Sequence, residues 1–170
     1  AVARLAVPTI ADWCAVDIIG RGGVLQRLAV THVDPGKVAH AQILEERYPA
    51  DPNAPGGVHE VIRTACAVRV ARIPAALLDA AARDEEHLRL LRELGLTSYM
   101  CVPLLAHGRA FGAISFVSAE SGRDYTEYDL RFAREIGTRA SLAVENARAY
   151  AQASDANRLK DEFLATLSHE

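Results

Sequence analysis

The sequence predicts an α+β fold: a sheet built largely from two hairpins, flanked by helices and followed by one long C-terminal helix. Three observations carry this expectation. Two pairs of β-rich runs, 13–33 and 97–117, each turn back through a Gly-containing segment. The second pair is apolar at nearly every position, which calls for a sheet covered on both faces. From Thr126 to Glu170 no Pro intervenes and Gly137 is the single Gly, so this stretch reads as one helix. At 1.5 Å per residue it would run ~68 Å. The rest of the chain should form a globule with a radius of gyration of roughly 14 Å, so the helix must protrude from it.

Taken in order, Val2, Leu5, Ala6 and Ile10 have helical spacing, although Pro8 limits that helix to its end. Trp13 to Ile19 is a strand by composition, Gly20-Arg21-Gly22-Gly23 turns the chain, and Val24 to Val33 returns as a second strand. The Gly run lacks a third spaced Gly and leads into a strand, so it reads as a turn and not as a dinucleotide loop. Asp34-Pro35 is an N-cap followed by Pro at the first helical position, opening a helix that Pro49 ends near Tyr48. Residues 49–57 are rich in Pro and Gly and form a long loop. A short helix over 58–64 and a strand over 67–73 follow. Pro74 opens a helical span to Leu94, with Gly95 as its stop. Strands over 97–105 and 109–117 flank a turn at 106–108. Thr126-Glu127-Tyr128-Asp129 then starts the long helix in the pattern of a capping box.

Composition excludes several classes. The 170 residues are 50% hydrophobic with a formal net charge of −3, enough for one core and without a basic stripe for nucleic acid. No apolar run reaches the length of a membrane span and no secretory signal pattern opens the sequence. Three well-separated cysteines, Cys14, Cys66 and Cys101, suit a reducing cytoplasm better than a disulfide scaffold. A cytoplasmic location is therefore expected, with membrane attachment of a longer protein left open. With Ala1 first and Met100 the sole Met, the sequence is read as part of such a longer protein.

The long helix carries a heptad of small residues. Ala133, Ala140, Ala147 and Ser154 lie seven apart, and Ile136, Ala143, Tyr150 and Asn157 fall three residues later. After this, Leu159, Phe163 and Leu167 repeat every four, a phase slip of the stutter type. The pattern predicts a parallel homodimer through 126–170, with packing of 126–150 on its own domain as the competing reading. Lys160, Phe163, Leu164, Ser168, His169 and Glu170 closely resemble the opening of the phosphoacceptor helix, the H-box, of sensor histidine kinases. The resemblance implies that His169 accepts the γ-phosphoryl group of ATP and that Glu170 is the adjacent general base. Neutral imidazole suits that role near pH 7. ATP, Mg and a response regulator are implied for a full-length kinase. These 170 residues hold no nucleotide-binding segment and are expected to have no kinase activity by themselves.

Residues 98–116 are similar to the strand-turn-strand pattern of GAF domains, with Pro103, Gly108, Gly112, Ile114 and Phe116 in place. PAS domains share the size, the sheet and the position in kinases. The GAF resemblance implies a central antiparallel sheet between terminal helices and a pocket-forming layer. Residues 1–150 would be the sensor domain, and 151–170 a linker helix with the truncated phosphoacceptor segment. The pocket is then expected on the sheet face opposite the terminal helices, under residues 49–94. His59, Val61, Ile62, Leu77 and Leu78 are the candidate ligand-binding residues, and Val58 adds to their apolar character. They favour a small, largely apolar or aromatic ligand over a phosphate.

No pair of the six histidines has the spacing of metal ligands on one helix face, so no metal site is expected. His59 and His87 are the positions for an axial haem ligand, and His87 sits among charges as a solvated residue would. Cys66 and Cys101 match a bilin attachment by residue type only. The sequence therefore argues against haem and bilin and gives no resident cofactor. The expected function is a regulatory input domain of a two-component histidine kinase, signalling through a dimeric helix to His169. Two alternatives stand beside it. One is a stand-alone GAF-fold thiol reductase of the free methionine sulfoxide type, and the other is a ligand-free dimerisation module.

Overall fold

The computed structural model describes residues 6–49, 51–53 and 55–167. His169 and Glu170 lie outside the described residues. The strands are β1 (Trp13–Ile19), β2 (Leu25–His32), β3 (Val68–Val70), β4 (Ser98–Ala106) and β5 (Arg109–Ser118). The helices are α1 (Pro35–Arg47), α2 (Val58–Thr64), α3 (Ala75–Ala81), α4 (Glu85–Glu93) and α5 (Glu127–Leu167). The strands form one sheet in the order β2-β1-β5-β4-β3, with every neighbouring pair antiparallel. An antiparallel sheet flanked by helices, with a long C-terminal helix, is the fold class the sequence implies.

The local signals explain most boundaries. The β4–β5 turn has positive φ at both His107 (49°) and Gly108 (76°), the geometry of a two-residue hairpin turn whose twist matches the strands. Asp34 caps α1 by accepting from the Gly36 N–H at 2.8 Å. At the start of α5 the Asp129 carboxylate accepts from the Thr126 N–H at 2.7 Å, and the Thr126 hydroxyl accepts from the Asp129 N–H at 3.3 Å. The single helix read over 74–94 is in fact two. Asp84 accepts from the His87 N–H at 2.7 Å and so starts α4 anew, an N-cap in the middle of a helical composition. The strand read over 67–73 shrinks to three residues.

Alternation along the strands sorts side chains to the two faces. Cys14, Ile18, Met100, Val102, Leu104, Ile114 and Phe116 point to one face and are buried there with Leu130, Ala133 and Ala140 of α5. Gly137 lets α5 sit close on β4: a Cβ there would lie 3.1 Å from Val102 Cγ2 and 3.3 Å from the Pro103 carbonyl. The register shift at Leu104/Leu105 frees the Leu105 N–H, which donates to Ser141 Oγ on the helix at 2.9 Å. Gly112 is a close approach of a different kind, because a Cβ would meet the Asp17 carbonyl of β1 at 2.4 Å.

One expectation changes here. Ala133 (0% exposed) and Ala140 (4%) are filled by the domain's own sheet, so they cannot form the seam of a dimer. Small residues at that spacing serve a helix lying flat on a sheet as well as one lying on its twin.

Candidate ligand-binding cavity

The opposite sheet face is only partly packed. Val61 (0% exposed) rests on Cys101 and Ala113, forming a small second core with Val58, Ile62, Val68 and Tyr99 beside it. The remainder of that face floors a cavity of about 750 Å³. Trp13, Ala15, Val30, Tyr99, Ser115 and Val117 come from β1, β2, β4 and β5 to line it. They meet because Trp13 pairs with Val117, Ala15 with Ser115 and Val30, and Tyr99 with Val117 in the registers of the sheet. The roof comes from α1 (Ala41, Leu44, Glu45), the loop through Pro49, Asp51 and Pro55, α3 (Leu77, Ala80) and α4 (His87, Leu91).

The roof is clasped more than packed. No residue of α1 or α3 is buried, and in α4 only His87 is. Between the two roof segments, Arg47 pairs with Glu86 at 2.6 Å and the Tyr48 hydroxyl donates to Asp84 at 3.0 Å. The Arg83 guanidinium donates to the Pro49 carbonyl. The rings of Tyr48 and His87 stack with centroids 4.1 Å apart. A roof held by exposed polar pairs opens at lower cost than one held by a core.

His87 is not solvated, as its charged sequence neighbours suggest, but 7% exposed. The helix turns it inward under Tyr48 while Arg83 and Glu86 face out. Burial and the neighbouring Arg83 charge lower its pKa against the opposing pull of Asp84, so it is neutral at pH 7. Its Nδ1 accepts from the Arg83 N–H at 3.1 Å, which leaves the proton on Nε2.

Of the candidate ligand residues, His59 and Leu77 line the cavity, whereas Val61 and Ile62 belong to the small core beside it. Leu78 is half-buried and does not line it. Sequence reading missed Trp13, Arg27, Tyr48 and Tyr99. The first, third and fourth are large and amphipathic, a usable signal, but nothing local says that they share a wall. Arg27 Nε donates to Asp17 at 2.9 Å and its Nη1 to Glu45 at 2.5 Å. Burial works against its charge, yet the bond to Asp17 and the nearby carboxylates outweigh it and raise the pKa.

None of the three cysteines lines the cavity. Cys66 is exposed; Cys14 and Cys101 are buried on opposite sheet faces. Burial pushes the Cys14 thiol up to about 12 and the Cys101 thiol up to about 11. Among the described residues no three His, Cys, Asp or Glu side chains gather as a metal site. No described helix is long and apolar enough to cross a membrane.

Residues 1–144 match the family model of the GAF domain. The chain belongs to the GAF domain family. No curated protein matches it by sequence. Solved structures do match in fold. GAF3 of Slr1393 from Synechocystis sp. PCC6803, in its photoproduct state, superposes with a TM-score of 0.62 at 14% identity, covering 89% of this chain and 93% of that one. A domain described as that of a two-component sensor histidine kinase protein from Sinorhizobium meliloti 1021 gives 0.59 at 14% identity, covering 89% and 92%. The GAF domain of a phosphoenolpyruvate-protein phosphotransferase from Coxiella burnetii gives 0.62 at 18% identity, covering 89% and 82%. At these identities the likeness establishes the fold of this GAF domain and leaves its output open.

Proposed function

We propose that this GAF domain is the regulatory input module of a two-component histidine kinase. It takes a small, largely apolar ligand in the cavity and passes its state along α5 to His169. The observation that carries the reading is the placement of α5. This helix packs on the sheet face behind the cavity floor through Leu130, Ala133 and Ala140, then continues without a break to Leu167, two residues before His169. The domain from Sinorhizobium meliloti, similar in fold and described as part of a sensor histidine kinase, supports the same role. The segment from Lys160 to Glu170 adds the H-box pattern. In the longer protein, His169 takes the γ-phosphoryl group from Mg-ATP, Glu170 polarises the imidazole, and a response regulator receives the group. Residues 1–150 act as the sensor and 151–170 as the linker and phosphoacceptor start.

A ligand shifts such a system only through its differential affinity for two arrangements of α5. The sheet is the shared element: Ala15, Ser115 and Tyr99 face the cavity while their neighbours Cys14, Phe116 and Met100 face α5. A homodimer is part of the reading, with its seam on the free face of α5. Tyr128 (71% exposed), Phe132 (45%), Leu142 (57%) and Tyr150 (78%) lie within about an 80° arc at ~100° per residue, whose centre is about 120–140° around the helix from the buried alanines.

The thiol reductase alternative is weaker on physical grounds. Cys14 and Cys101 are buried and protonated, and a protonated buried thiol is a poor nucleophile. The ligand-free module is disfavoured by the size of the cavity. The deciding experiment is phosphate labelling of the full-length protein with ATP. His169→Gln should abolish the label without changing the fold, and label retained by that variant refutes the assignment.

A further inference from the structure

We infer that the cavity selects an uncharged, mostly apolar or aromatic molecule carrying one hydrogen-bond acceptor, and that Trp13 Nε1 is the donor that holds it. The inference rests on reading the cavity as the ligand site and goes on to specify what fits there.

The first observation is an unmade hydrogen bond. Trp13 is 6% exposed, lines the cavity floor, and its Nε1 is the one buried side-chain nitrogen or oxygen without a partner among the described residues. Buried donors are almost always paired, and an unpaired one at a cavity wall calls for an acceptor that the protein itself does not supply. The neighbouring ring cannot serve: His32 lies against the indole at 4.0 Å between centroids, but its Nδ1 already accepts from the Asp34 N–H at 2.8 Å and its Nε2 is at 3.2 Å from Glu120. The Trp13 N–H is closed off from solvent and from the open part of the cavity, so pairing with a ligand requires the indole to turn.

The second observation is the state of the charges. Arg27, the cation nearest the floor, is held by two carboxylates, Asp17 and Glu45. An anionic ligand would have to displace one of them, and a cationic ligand would compete with Arg27 for Glu45. Arg83 and Asp51, of opposite sign, are exposed in the roof, Arg83 on the Pro49 carbonyl and Asp51 on the Asn53 N–H at 2.9 Å. An ionised ligand would therefore lose its hydration without gaining an uncommitted counter-charge at the floor. The remaining walls are mainly aliphatic and aromatic, which suits a flat apolar body.

The test uses four probes of one shape: 2-acetylnaphthalene, 2-ethylnaphthalene, 2-naphthoate and 2-naphthylmethylammonium. They are titrated into the 170-residue protein by calorimetry. The expected order has 2-acetylnaphthalene tightest, about tenfold ahead of 2-ethylnaphthalene, with both ions weaker still. Trp13→Phe should remove that advantage, bringing 2-acetylnaphthalene and 2-ethylnaphthalene to similar affinities. Trp13 is the only Trp, so its indole ¹H–¹⁵N resonance gives a second readout in the unaltered protein. It should move downfield with the acetyl probe and not with the ethyl one. If the probes bind but an ion is preferred, or if the indole signal responds equally to acetyl and ethyl, this inference is overturned and the cavity remains a ligand site. If none of the four binds, the ligand-site reading falls and this inference with it.

Discussion

Asp12 offers a direct test of how the domain is tied to its long helix. It sits just before β1, is 4% exposed, and directs one carboxylate oxygen at the loop leading to α5. Oδ2 accepts from the Ala119 N–H at 2.7 Å, the Ser121 N–H at 2.9 Å and the Ser121 hydroxyl at 2.7 Å. Nearby, the Tyr125 hydroxyl and Arg123 Nη1 both donate to the Ile10 carbonyl, at 3.3 Å each, so 10–12 and 119–125 form one polar knot. In Asp12→Ala the Ser121 donors are exposed and turn to water. Ala119, at 6% exposure, keeps a buried N–H with no acceptor. An orphaned buried donor costs about 1–3 kcal/mol, and loss of charge-assisted bonds adds to it, so a destabilisation of about 2–4 kcal/mol is expected. Asp12→Asn can keep all three bonds as neutral ones and should lose only about 1–1.5 kcal/mol. Burial alone would raise the Asp12 pKa. The Ala119 N–H, the two Ser121 donors and the His32 charge together bring it below its usual value of 3.8. A carboxylate lowered in the folded state adds stability above its unfolded pKa and loses it as pH falls through the folded one. The gap between wild type and Asp12→Asn should thus narrow below about pH 4. Urea unfolding as a function of pH measures it. An Asp12→Ala protein within about 0.5 kcal/mol of wild type at pH 7, where surface substitutions fall, would refute the reasoning.

Three further outcomes follow from burial. Leu142→Glu combined with Tyr150→Glu should lower the dimer fraction in sedimentation while leaving the unfolding midpoint unchanged at concentrations where the wild type is monomeric, because both side chains are exposed. Ala140→Glu should instead destabilise the fold by about 3 kcal/mol or more, since it places a charge in the core. A stable Ala140→Glu monomer would return the dimer seam to the alanine stripe. Of the three thiols, only exposed Cys66 should react promptly with a disulfide reagent in the native protein, and a second fast thiol would show that Cys14 or Cys101 is less enclosed than its burial implies.

Much of the fold was legible because its signals are local. Asp34, Thr126 and Gly108 announce a cap, a capping box and a tight turn through bonds and dihedrals spanning two to four residues. The apolar runs at 97–105 and 109–117 called for a sheet covered on both faces, and the structure covers one with α5 and the other with the small core and the roof of the cavity. The candidate site was less legible. His59 and Leu77 reach the cavity, but Trp13, Tyr99 and Arg27 come from strands far apart in sequence. Asp84 looked like one more acidic residue in a helical run until its side chain was seen capping α4.

By itself, the sequence determined which segments are strands and helices, where most of them stop, and that residues 98–116 resemble GAF domains. Only the tertiary structure decided which neighbour each face meets. Ala133 and Ala140 repeat every seven residues, and that periodicity is equally compatible with a second helix or with β4. Gly137 and the Ser141–Leu105 bond bring β4 close enough to take the alanines. Periodicity fixes the direction in which a side chain points. What fills the space there depends on strand order and on contacts between residues about 40 to 100 positions apart, and it is this that leaves one face of the sheet packed on α5 and the other open as a cavity.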